Sequence, residues 1–104
     1  FLMKQEHTMK VFWTEEAKIE FKQTLMYWTI HNMSDSYSKK IDAETLKLVK
    51  EITISPYFLA NYVETIDAYK RVFFKSRFIL YYQVDEENDT IYILHFRSSF
   101  QKPL

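Results

Sequence analysis

Apolar positions recur along the chain with two periods. In MKVFWT (9–14), Val11 and Trp13 alternate with Lys10, Phe12 and Thr14, which predicts a short strand. From residue 15 the spacing lengthens, and Ala17, Phe21, Leu25 and Trp28 fall on one helical stripe. Thr14 is placed to cap that helix, and Glu15 and Glu16 sit in its first turn, where the helix dipole favours carboxylates. A helix is therefore predicted over 15–32. NMSDSYS (32–38) is a polar break in which Ser34, Asp35 and Ser36 can each cap a second helix. That helix places Tyr37, Ile41, Thr45, Leu48 and Ile52 on one face, with Leu46 and Val49 widening it. Pro56 ends it slightly early, because the residue before a proline avoids the helical region.

Residues 55–68, SPYFLANYVETIDA, carry apolar side chains without a period and read as a packed loop. The period then becomes two. Residues 69–75 form one strand. In the next, Phe78, Leu80, Tyr82 and Val84 alternate with Arg77, Ile79, Tyr81 and Gln83. DEEND (85–89) is the hairpin loop and TIYILHFR (90–97) the returning strand. The expected fold is α+β: an N-terminal strand, an antiparallel two-helix hairpin and an antiparallel three-strand meander in one sheet. A five-residue loop sets Tyr81 opposite Ile93 and Arg77 opposite Arg97, with His95 on their side. Phe78, Leu80 and Tyr82 then join Tyr92, Leu94 and Phe96 against the helices. A one-residue slip turns His95 and Arg97 to the other face.

At 104 residues the chain is sized for one domain, expected over 9–104, with 1–8 a disordered or added leader. Phe1 is no initiating residue, so added or trimmed residues are expected ahead of Met3 or Met9. A hydrophobic share of 47% supports a packed core. No apolar run approaches the roughly 18 residues that span a bilayer, and the first residues lack the features of a signal peptide. Without cysteine there is neither a disulfide framework nor a thiolate metal site, which fits a cytoplasmic setting. Without glycine there is no phosphate-cradling loop. Fourteen cations balance fourteen carboxylates, which argues against strong nonspecific nucleic-acid binding. The distribution is uneven, however. KRVFFKSRF (70–78) holds Lys70, Arg71, Lys75 and Arg77 with no carboxylate, while the acids of the C-terminal third are confined to 85–89.

The order and spacing of these elements, with VFWTEEAKIEF (11–21) and FILYYQVDEENDTIYILHFRSSFQKP (78–103), resemble the RelE/ParE toxin superfamily over 9–103. The resemblance implies a bacterial, cytoplasmic toxin of a type II toxin–antitoxin or plasmid stabilisation system, neutralised by a cognate antitoxin. RelE-like members cleave mRNA on the ribosome; ParE-like members inhibit DNA gyrase. Ile79 stands where many RelE-like members carry an arginine, and SPYFLAN replaces the usual turn after the second helix. The first departure weakens the ribonuclease reading; the second concerns loop shape.

Ribonuclease chemistry needs a base, an acid and cations around the phosphate. Arg71, Arg77 and Arg97 are its candidate clamp, and Tyr81 and His95 its candidate proton carriers. The plainer reading gives Lys70, Arg71, Lys75 and Arg77 to a solvated sheet face or to an antitoxin contact, and His95 to an edge. Trp13 and Trp28 read as core, and His31 as a favourable charge at a helix C-terminus. Three scattered histidines suggest no metal site, and no cofactor is expected. The narrow preference is a ParE-like gyrase inhibitor. A ribosome-dependent endoribonuclease and a non-toxic partner-binding member remain the alternatives.

Overall fold

The computed structural model describes residues 8–104. The expected leader lies, apart from Thr8, outside the described residues, as does His7. Strand β1 (Lys10–Trp13) leads directly into α1 (Glu15–Asn32). Thr14 makes the junction: its hydroxyl accepts from the Ala17 N–H, capping the helix, and donates to the Ile93 carbonyl at 2.9 Å. α1 ends at Met33, which takes the left-handed conformation usually left to glycine and donates its N–H to Ile30. α2 (Ser36–Ile54) returns beside α1, fastened by a Thr29–Ser38 hydroxyl pair at 2.6 Å and by Ser38 Oγ donating to the Leu25 carbonyl. α1 matches the predicted span, and α2 begins after the polar break and ends ahead of Pro56.

Residues 55–68 depart from the expected loop. They contain a short strand, β2 (Asn61–Val63), and a 3-10 turn at Glu64–Ile66. Three residues are too few to show a period, and only pairing with the next strand defines this one. β3 (Ala68–Phe73), β4 (Phe78–Asp85) and β5 (Thr90–Ser98) complete a five-stranded sheet in the order β1-β5-β4-β3-β2. β1 runs parallel to β5; the other pairs are antiparallel.

The β4–β5 register also differs from expectation. β4 continues through Asp85, which pairs with Thr90, so Tyr82 meets Ile93; beyond it Leu94 is bulged out and Tyr81 meets His95. The shorter loop turns Ile91 and Ile93, rather than Tyr92 and Leu94, toward the helices. The bulge then shifts the phase by one more residue, so Phe96 points inward while His95 and Arg97 share the face of Tyr81 and Ile79. Arg77 therefore does not sit opposite Arg97, which pairs with Ile79.

Ala17, Ile41, Leu48, Ile52, Phe78, Leu80, Tyr82, Ile91, Ile93 and Phe96 close the core between sheet and helices. Trp13 and Trp28 are half-buried and pack against it. Among the described residues no helix is long and apolar enough to cross a membrane.

Candidate functional site

The register lays two rows across the face of the sheet that turns away from the helices. One is Lys70, Tyr81 and His95; the other is Val72, Ile79 and Arg97. Tyr81 is buried and meets the His95 ring edge-on, with centroids 6.3 Å apart. Three of the five ribonuclease candidates thus share a face. Arg71 and Arg77 do not join them.

Arg71 pairs with Leu80, whose side chain points at the helices, and is only 7% exposed. Its guanidinium donates to the Phe58 carbonyl at 3.2 Å and lies 3.9 Å from Glu51 of α2. It ties the segment after α2 to the sheet. Arg77 is exposed, donates to the Tyr37 hydroxyl at 3.0 Å and lies 6.0 Å from that ring's centre. Lys75 occupies the turn between β3 and β4, where Phe74, Lys75 and Ser76 all have positive φ. The cationic stretch of the sequence is therefore divided among both faces of the sheet and one turn. Period two sends Lys70 and Arg71 opposite ways, and the turn carries the remainder off the end.

Arg97 donates to the Lys102 carbonyl at 2.7 Å, so the C-terminal residues fold back onto it, and its Nε is buried with no hydrogen-bond partner among the described residues. His95 is held from the helix side. β1 stops at Trp13, so the edge of β5 beyond Leu94 has no neighbouring strand among the described residues. Glu20 of α1 fills that place: its Oε1 accepts the Phe96 N–H at 3.1 Å and lies 3.2 Å from His95 Nδ1. Glu16, one helical turn earlier, is 4.0 Å from the same nitrogen. Sequence reasoning missed both carboxylates. Their four-residue spacing is visible in the sequence, but only the bulge and the parallel β1–β5 pairing bring His95 to them.

Two further surfaces stand out. A cleft of about 590 Å³ at one end of the sheet is lined by Tyr57, Tyr62, Tyr69, Asp67, Asp85 and Glu86, among others. Tyr62 donates to Asp67, which raises its phenol above the usual range; burial and then Glu86 raise that of Tyr57. On the outer side of the helices, Ile19, Met26, Tyr27, Ile30 and Leu46 are exposed apolar side chains.

This combination of a two-helix hairpin against one face and a five-stranded sheet opening with a parallel edge defines a small two-layer α+β fold. The chain superposes on a chromosomal ParDE toxin–antitoxin system from P. aeruginosa with a TM-score of 0.72, at 16% identity, covering 88% of this chain and 97% of that one. The RelBE2 toxin–antitoxin complex of Mycobacterium tuberculosis gives 0.61 at 14% identity, covering 88% and 98%. In sequence, the Methanocaldococcus jannaschii protein named "Putative toxin RelE4" is 33% identical over 67 residues, 64% of this chain and 70% of that protein. No protein-family model matches the chain. The chain belongs to the RelE/ParE toxin superfamily.

Proposed function

We propose that this chain is the growth-inhibiting member of a toxin–antitoxin pair, silenced by a cognate antitoxin in the cytoplasm, and that it acts ParE-like, by binding DNA gyrase. One observation carries the choice of branch: the five side chains of the ribonuclease set do not form a phosphate clamp. Arg71 is buried on the helix side, Arg77 is engaged by Tyr37, and Arg97 is engaged by the Lys102 carbonyl. A phosphate approaching His95 meets the carboxylates of Glu16 and Glu20. Such a face suits protein contact better than anion binding. The exposed apolar side chains on α1 and α2 suit an amphipathic antitoxin segment.

The ribonuclease reading keeps one supporting observation, the placing of Tyr81 and His95 side by side with Arg97 on the same face. Induced expression without antitoxin separates the two. Growth arrest with intact mRNA and altered plasmid supercoiling, unchanged by His95→Gln, is the expected result. Arrest with cleaved transcripts, relieved by His95→Gln or Arg97→Ala, would overturn the gyrase reading.

A further inference from the structure

The geometry points to a divalent transition-metal site formed by Glu16, Glu20 and His95, bridging the first turns of α1 to the uncovered edge of β5. The three ligating atoms, two carboxylate oxygens and Nδ1, all lie within 4.8 Å of one another. In tetrahedral zinc coordination with bonds of about 2.0–2.1 Å, neighbouring ligand atoms are about 3.3 Å apart. His95 Nδ1 and Glu20 Oε1 stand at 3.2 Å, close to that spacing; Glu16 Oε1 is 4.0 Å from the same nitrogen. Only Glu16 has to move, and its side chain is 69% exposed, so a shift of about 1 Å meets little resistance.

Two of the ligands are held before any ion arrives. Glu20 is fixed by the Phe96 N–H, and His95 is aimed by the Leu94 bulge and packed against Tyr81. Outer contacts of this kind orient metal ligands and strengthen the site. One imidazole and two carboxylates form a mixed nitrogen and oxygen set that suits Zn²⁺ and its neighbours Co²⁺ and Ni²⁺. With a neutral imidazole the cluster carries two negative charges, which a divalent ion neutralises. The open side at Glu16 admits the ion and leaves its remaining coordination to water. The positive end of α1 opposes the cation and weakens its binding by about two- to fivefold. The site is independent of the proposed gyrase activity.

Calorimetric titration of the purified chain with Zn²⁺ tests it, alongside the visible spectrum on adding Co²⁺. The expected result is one equivalent bound, with Glu16→Gln and His95→Gln each weakening binding at least tenfold and His31→Gln leaving it unchanged. Glu16 is exposed, so its variant folds even if His95→Gln does not. No saturable binding below about 100 µM, or binding indifferent to Glu16→Gln, would overturn the assignment.

Discussion

Replacing Tyr82 by Phe removes one hydroxyl from the centre of the molecule and nothing else. The side chain is fully buried on the helix side of β4, and its hydroxyl donates to the Pro56 carbonyl at 2.6 Å, pinning the chain just after α2 to the sheet. The net loss of such a bond is about 1 kcal/mol, and the half-buried carbonyl left behind raises the total to about 1–2 kcal/mol. In a domain of this size that lowers the melting temperature by about 5–10 °C. The same burial pushes the phenol up to about 12, with the Arg71 guanidinium pulling partly against it. An unfolded tyrosine ionises near 10, so between about pH 10 and 12 the unfolded chain releases a proton that the folded chain keeps. The stability tied to Tyr82 is therefore intact below about pH 10 and falls as pH rises toward 12. One proton corresponds to at most about 1.4 kcal/mol per pH unit, so the advantage over Tyr82→Phe disappears near pH 11. Urea unfolding followed through Trp13 and Trp28, at about pH 8, 10 and 11, measures the gap. A gap of the same size at every pH, or none near pH 8, would exclude this role for the Tyr82 hydroxyl.

Thr14→Ala removes both the cap of α1 and the bond to Ile93, and is expected to cost about 1–2 kcal/mol in urea unfolding. Ser76→Gly should raise the unfolding free energy by about 0.5–1 kcal/mol, because Ser76 sits at φ 62 and glycine relieves the left-handed clash at the cost of some unfolded-state entropy; a lower urea midpoint would contradict this. Asp85 accepts the Asn88 side-chain and backbone N–H groups, which hold its carboxyl below the usual range. Its contribution is present above the unfolded carboxylate value of about 3.9 and lost as pH falls through the lower folded value. Asp85→Asn should thus be less stable than the wild type near neutrality, with the difference fading in an acid titration followed by circular dichroism.

The helices were legible because an apolar stripe repeated over about three or four turns outweighs any single ambiguous residue, and because Thr14 and Pro56 punctuate the chain on physical grounds. The hairpin was legible from alternation in Phe78–Val84 and the acidic loop after it. Its register was not. Ile91 and Ile93 alternate as well as Tyr92 and Leu94 do, and only the observed end of β4 at Asp85 and the bulge at Leu94 decide between them. β2 was illegible because three residues carry no period; the pairing of Tyr62 with Tyr69 defines it. The candidate site suffered most. Lys70 and Arg71 look like one cationic patch in the sequence, but a strand sends neighbours to opposite faces. Glu16, Glu20 and His95 meet because the Leu94 bulge sets the facing of His95 and because β1 stops short and leaves the β5 edge to α1.

The proposed action on gyrase rather than on RNA is open to a supercoiling assay. Purified chain is added to DNA gyrase, ATP and relaxed plasmid, with a parallel reaction on mRNA-programmed ribosomes. The expected result is loss of supercoiling with intact mRNA, the same for the wild type and for His95→Gln. Unimpaired gyrase beside cleaved mRNA, with cleavage abolished by His95→Gln, would contradict it.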